Sequence, residues 1–379
     1  MIGVAVGTMA LVVVLSVFNG LEELVRSLYA SFDAELKVEA SVGKSFQVDK
    51  DWLGSIRDLE GVAVVTEVIE DNALFKYRDF QHLARLKGVS DNYLDHDRFG
   101  RGYVWGTLDL GTDTRPKAIV GRGVGFFLSM DLDNEFDMIQ VFYPKAPRTA
   151  GTIDPSQMYN SNVLRPAAFF SVDKEFDDNY IIAPLIFVSD LLNYDDRRTA
   201  LEIKVADGQS IQRIKRKLRD HLGDNFTVKD TDEQHAGLLR TIKIEKLFVF
   251  ITLSFILAVA SFNIFFSLSM MAIEKRRDTA ILLAIGAREK LVKSIYLKQG
   301  AIIAFTGAAI GLVFGFLLVW AQDTFGLVSL GIASSVIENY PVKMVWTDFL
   351  WTSLAVIAIT FLASYRPALI AARVKANEL

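Results

Sequence analysis

Cysteine is absent from the 379 residues. That excludes thiol nucleophiles, thiolate metal sites, disulfide frameworks and lipid attachment through cysteine. The same absence suits a large extracytoplasmic domain that must fold without mispairing. An excess of one charge is lacking too, because 41 Lys and Arg stand against 45 Asp and Glu. A net charge of −4 gives no basic field for a nucleic-acid partner. Catalytic signatures are missing: there is no G-x-x-x-x-G-K-[ST] loop, no H-E-x-x-H and no G-x-S-x-G. His82, His96, His221 and His235 have no ligand spacing and are read as solvated or hydrogen-bonded surface residues. In Gly121-Arg122-Gly123-Val124-Gly125 the third glycine comes one residue early for a dinucleotide loop, so a strand-to-helix turn is expected. Asp131, Asp133, Glu135 and Asp137 alternate like a calcium loop, but Phe136 stands where the turn glycine is needed, leaving an acidic turn. No catalytic, cofactor-binding or metal-binding residue is assigned.

What the chain has in surplus is apolar: 51% of its residues are hydrophobic, and the mean hydropathy is +0.28. Four uncharged runs carry the surplus, at 1–21, 247–273, 299–322 and 349–365, each near the ~20 residues that cross a bilayer as a helix. Trp346, Trp351 and Tyr365 mark the interfaces of the last one. Asn263, midway along the second, is costly against lipid and is expected to hydrogen-bond to a neighbour. Gly307, Gly311 and Gly315 set two overlapping G-x-x-x-G steps on one face of the third, which permits close helix packing.

Orientation follows from basic residues in short loops. Lys275, Arg276, Arg277, Arg288, Lys290, Lys293 and Lys298 crowd the segment between the second and third runs, whereas 323–348 holds only Lys343. The crowded loop is cytoplasmic, and 22–246 then lies outside. No basic residue precedes the first run, so a cytoplasmic lead-in is expected ahead of Met1.

Within 22–246 two units read strand, helix, strand: 35–40, 52–59 and 62–69, then 201–205, 211–222 and 226–229. Ile211, Ile214, Leu218 and Leu222 form the apolar stripe of the second helix, and Arg213, Lys215, Arg216, Lys217 and Arg219 are read as its solvated face. Between the units, 72–199 reads as a strand-rich insertion, with 146–166 its most exposed loop and a place for a partner to dock or a plain connector. Two stretches, 21–28 and 238–245, have helical composition continuous with the membrane runs and are candidate stalks.

The cytoplasmic segment Glu274-Lys275-Arg276-Arg277-Asp278-Thr279-Ala280-Ile281-Leu282-Leu283-Ala284-Ile285-Gly286-Ala287 is a charged start, an apolar stretch and a glycine stop, hence a short surface helix. Such a helix can lie on lipid headgroups or fit a groove on a partner. The segment resembles the coupling helix of FtsX-like ABC-transporter permeases. Ser16-Val17-Phe18-Asn19-Gly20, Ala118-Ile119-Val120-Gly121, Tyr365-Arg366-Pro367-Ala368 and Ala371-Ala372-Arg373-Val374 resemble the lipoprotein-releasing LolC/LolE branch.

The resemblance implies an α-helical membrane protein with four transmembrane helices and a large α+β extracytoplasmic domain, Porter- and Sabre-like, between helices 1 and 2. The layout expected is helix 1 and stalk 1–28, periplasmic domain 29–237 with the insertion at about 72–199, and stalk and helix 2 over 238–273. The coupling loop 274–298, helix 3 at 299–322, an outside loop 323–344, helix 4 at 345–365 and a cytoplasmic tail 366–379 follow. The implied function is that of a non-catalytic permease subunit of the bacterial inner membrane. It works with a cytoplasmic ATPase dimer, which binds ATP and Mg, and with a second permease subunit, identical or paralogous. A lipoprotein is the implied substrate and a periplasmic chaperone the acceptor. Toxin, peptide or antibiotic export, cell-wall hydrolase control, and a membrane sensor remain as alternatives. Coupling is expected at Glu274, Lys275, Arg276, Arg277, Ala280, Ile281, Leu283, Ala284, Ile285 and Gly286, with close contacts from Ala280, Ile281 and Ala284. Substrate is expected to enter beside Val14, Phe18 and Leu21.

Overall fold

The computed structural model describes residues 1–96, 98–99, 103–134, 136–145, 158–329 and 339–372. They form two compact units: Arg26–Ala236, and Met1–Val25 with the chain from Gly237 onward. The loop expected at 146–166 lies mostly outside the described residues, as do Glu135 and the stretch after Ala372.

Helix α1 is Ile2–Phe32. The outside unit then opens with β1 (Leu36–Ala40), β2 (Phe46–Gln47) and α2 (Lys50–Arg57), followed by the long hairpin β3 (Val62–Tyr77) and β4 (Phe80–Val89). Next come β5 (Tyr103–Gly106), β6 (Gly111–Thr112), β7 (Arg115–Gly121), α3 (Arg122–Phe127), β8 (Ile139–Pro144) and β9 (Tyr159–Ser171). The unit closes with α4 (Lys174–Asp177), β10 (Tyr180–Pro184), α5 (Leu185–Leu192), β11 (Arg197–Arg198), β12 (Ala200–Val205), α6 (Ile211–Leu222), β13 (Phe226–Asp230) and α7 (Thr231–Gln234). One sheet runs in the order β13-β1-β12-β3-β4-β10-β7-β9-β5. Among the described residues, apolar side chains gather on it in two places. Leu36, Val38, Leu201 and Ile203 pack with Ile214 and Leu218 of α6, while Phe75, Leu86, Val120, Val141 and Ile181 pack with Val188 of α5.

The two strand-helix-strand units and the insertion are therefore not separate sheets. β3 continues through residue 72 to Tyr77, pairing β12 over its first half and β4 from Val68 to its end. Its polar residues Glu70, Asp71 and Asn72 look like a turn in sequence, yet Asp71 is held by Lys44 and Tyr143, so the strand survives them. Gly121 does end a strand and start a helix: a Cβ there would lie 2.3 Å from the Asp177 carbonyl oxygen, and at Gly125 2.5 Å from the Phe169 ring. These glycines are required by packing, with no phosphate role needed.

Polar residues expected at the surface are partly inside. Lys215 of α6 is buried and pairs with Asp230 at 2.7 Å and Glu233 at 2.5 Å, because the helix lays this side against β13 and α7. His96 is also buried, in a charged cluster under the last residue of α1. Glu202 on β12 meets Lys87 of β4 at 2.7 Å and Arg98 at 2.5 Å. Two cations thus share one carboxylate, and the remainder of their charge faces rings: Lys87 lies 5.1 Å from the Phe32 centroid and Arg98 4.9 Å from Tyr93. Arg98 also donates to the Phe32 carbonyl at 3.3 Å. Burial would raise the Glu202 carboxyl, but Arg98 and Lys87 overcome it and hold it far below the carboxylate range.

Arg98 donates to Nδ1 of His96 at 3.1 Å, so that nitrogen carries no proton and Nε2–H faces the Thr66 hydroxyl at 2.8 Å. Burial, aided by the neighbouring guanidinium, pushes His96 down to about 3. Between that value and the ordinary ~6.5 of an unfolded chain only the unfolded state takes the proton. Stability is therefore complete above about pH 6.5 and falls with acidification, by up to ~1.4 kcal/mol per pH unit. The protection factors of the β12 amides, which compare exchange with the intrinsic rate at each pH, should fall accordingly between pH 6.5 and 4.5. A His96→Gln variant should lose that part of the slope.

The membrane unit adds α8 (Ala236–Glu274), α9 (Arg276–Ala284), α10 (Glu289–Phe325) and α11 (Trp346–Ala372). α1, α8, α10 and α11 are each long and apolar enough to cross a membrane. Val4, Leu11, Leu257, Ile264, Leu268, Ala308 and Val356 form their shared core.

Candidate functional site

The cytoplasmic segment folds as its composition dictates. α8 ends at Glu274, and after Lys275 α9 begins, with Asp278 in its first turn favouring the helix dipole. It stops at Gly286, whose φ is +102°. The Gly286 N–H donates to the Leu283 carbonyl at 3.0 Å and the Ala287 N–H to that of Leu282 at 3.0 Å, the paired bonds of a Schellman cap. Glycine suits the cap because a side chain is strained in this left-handed region.

One side of α9 faces the chain's own helices. Thr279 and Ala280 are buried, and Leu283 packs against Ala272, Val292, Tyr296 and Ala368. Ala280 was expected to touch a partner; here its 1% exposure leaves no surface for one. The opposite side presents Arg277 and Asp278 beside Ile281, Leu282, Ala284 and Ile285, all exposed, Ile285 at 79%. Glu274, Lys275 and Arg276 are exposed where the two helices meet, Lys275 pairing with Asp278 at 3.1 Å. At 100° per residue Ile281 and Ile285 stack one turn apart, making an apolar ridge with charge at its head.

The glycine face of α10 packs on α1 within this chain. A Cβ at Gly311 would lie 2.4 Å from the Ala5 carbonyl oxygen and 2.6 Å from Thr8 Cβ, and at Gly315 3.0 Å from Val12 Cβ. Gly307 makes the same approach to Val4, at 3.1 Å. Gly311→Leu should therefore force the two helices apart, costing about 1–3 kcal/mol or more and lowering the detergent melting temperature. An unshifted melt would show that the contact yields freely.

Asn263 is placed differently from expectation. The buried stripe of α8 is Leu257, Ser261, Ile264, Leu268 and Ala272, and Asn263 lies two residues, or 200°, beyond Ser261. It is exposed between Phe262 and Phe266 and makes no hydrogen bond among the described residues. Val14, Phe18 and Leu21 share one half-buried face of α1, so the three are brought together.

Sequence reasoning missed a polar ring at the other end of the bundle. Asn19 donates to Asp348 at 2.7 Å and accepts from Lys246 at 2.7 Å, and Lys246 donates to the same Asp348 oxygen at 2.8 Å. Asn19 donates further to the Lys343 carbonyl at 3.2 Å, and the Lys343 N–H reaches the Ser16 carbonyl at 2.9 Å. Beside them Gly20 has no room for a side chain, since its Cβ would sit 2.4 Å from Pro341 carbonyl atoms. The available signal was position: Asn19-Gly20, Lys246 and Asp348 each border an apolar run on the same side of the membrane.

Four membrane-length helices, a cytoplasmic helix with an unburied apolar ridge and a large α+β domain between the first two spans define a multi-pass membrane protein built like a transporter permease. Residues 250–376 match the family FtsX-like permease C-terminal, and this part of the chain is an FtsX-like permease domain. Over most of its length the chain is similar to the lipoprotein-releasing system transmembrane protein LolC of Neisseria meningitidis, at 26% identity over 84% of this chain and 75% of that protein. It is similar as well to LolE of Haemophilus influenzae, at 22% identity over 100% of this chain and 92% of that protein. The periplasmic region of MacB from Actinobacillus actinomycetemcomitans aligns with TM-score 0.38 and 12% identity, covering 55% of this chain and 94% of that one.

Proposed function

We propose that the chain is the permease subunit of an inner-membrane ABC transporter that releases lipoproteins to a periplasmic chaperone. ATP, with Mg, is bound and hydrolysed by a separate cytoplasmic ATPase dimer, and a second permease subunit completes the membrane part. The observation that carries the reading is the exposed ridge of α9, in a segment that matches the FtsX-like model and in a chain similar along its length to LolC and LolE. Within it, Arg277, Ile281, Ala284 and Ile285 enter the ATPase groove, while Ala280 and Leu283 anchor the helix to this chain. α8 is a single helix from Ala236 to Glu274 and serves as the stalk that carries movement outward.

Reconstitution with the ATPase, a triacylated lipoprotein and a soluble chaperone tests this directly. ATP-dependent release supports it, and hydrolysis with no release rejects it. A Gly-Pro insertion at Lys243 breaks the helix by removing a backbone donor and the helical preference together. The inserted form should assemble and hydrolyse ATP yet release little lipoprotein.

A further inference from the structure

The polar ring at the outer ends of α1, α8 and α11 joins helices of different connectivity. α1 and α8 lead by unbroken helix toward the outside unit, whereas α11 has no such continuation. Each of the three side chains bonds to both of the others, and all three are shielded: Asn19 is 7% exposed, and the side chains of Lys246 and Asp348 are 23% and 14% exposed. The Asn19 carboxamide donates to Asp348 through Nδ2 while accepting from Lys246 through Oδ1. Glu23 with Lys343 at 3.1 Å and Glu22 with Lys243 at 3.9 Å continue the same junction outward.

We propose that Asn19, Lys246 and Asp348 are positioning residues for transport, a clamp that makes the outer ends of α1, α8 and α11 move as one piece. The proposal rests on the transport reading above. Without the clamp, displacement of α11 is taken up by slippage at the outer ends and does not reach the two helices that lead outward. The packed core of Leu11, Leu257 and Val356 lies deeper in the bundle and does not replace it. Loss of the clamp should consequently spare ATP hydrolysis and lower the yield of transport per ATP.

The test uses the full complex in liposomes and measures lipoprotein released per ATP hydrolysed. Asn19→Ala, which leaves the ion pair in place, and Asp348→Asn should each lower that ratio by about tenfold at near-normal hydrolysis. Exchanging the charges, Lys246→Asp with Asp348→Lys, should bring it back to within about twofold, because the Asn19 carboxamide can turn over to serve the reversed pair. Single variants with the wild-type ratio would overturn the clamp, as would an exchanged pair that assembles and hydrolyses ATP but stays uncoupled. Where Asp348→Asn fails to assemble, Asn19→Ala alone decides between the outcomes. A wild-type complex that hydrolyses ATP and releases nothing would overturn the transport reading instead.

Discussion

Ile281→Asp combined with Ile285→Asp is expected to abolish ATP-driven release while leaving the chain folded and inserted. Both side chains are exposed, Ile281 at 43% and Ile285 at 79%, so neither charge is forced into this chain's own core. In a partner's apolar groove each carboxylate must give up its water without a matching cation, at about 2–3 kcal/mol or more apiece. Two of them should weaken docking by at least a hundredfold, read as lost co-purification of the ATPase and lost release. A charge at Ala280 acts by another route. That residue is buried against the chain itself, so Ala280→Asp should lower the melting temperature of the permease alone. If the double aspartate variant still retains the ATPase and releases lipoprotein, α9 does not dock by this ridge, and a position on lipid headgroups becomes the better account.

Glu202→Gln should cost the outside unit about 3–5 kcal/mol, the largest single-residue stability effect expected here. The substitution leaves Lys87 and Arg98 buried beside one another with a neutral amide between them, compensated by aromatic rings and by the bonds of Arg98 to the Phe32 carbonyl and His96 Nδ1, none of which carries a negative charge. The cluster also holds the Phe32 carbonyl, so fraying should begin at the end of α1 and be visible as faster hydrogen exchange there and in β12. Replacing all three with apolar residues, Glu202→Leu with Lys87→Met and Arg98→Met, should recover most of the loss, since a packed apolar group avoids the desolvation that the ion cluster must offset. Equal instability of the triple variant would mean that the charges themselves, and not merely their balance, are needed.

Much of the architecture was legible in the chain's chemistry. Runs of Leu, Val, Ile and Phe at bilayer length can satisfy their backbone in lipid only as helices, and four such helices are present among the described residues. Ile211, Ile214, Leu218 and Leu222 recur at helical spacing, and α6 spans those same bounds. The α9 stop was legible because glycine before a new charged stretch is a local signal that needs no tertiary partner. Lys215 in α6 and His96 were misjudged for one common reason. Polar side chains are placed inside by partners that only the fold assembles, here Asp230 and Glu233 around Lys215, and Thr66 with the Arg98–Glu202 pair around His96.

By itself, then, the sequence determined the apolar spans, the crowding of basic residues at 275–298, the amphipathic helices and the short helix that stops at Gly286, all of which depend on neighbours a few residues apart. Only the tertiary structure decided that one sheet unites the outside unit, that Gly311 faces α1, that Ala280 turns inward while Ile281 and Ile285 turn outward, and that Asn19, Lys246 and Asp348 close into a ring. Periodicity tells which residues share a face of an element, but which face meets which neighbour depends on chain crossings that bring residues such as Asn19 and Asp348 together across more than three hundred positions.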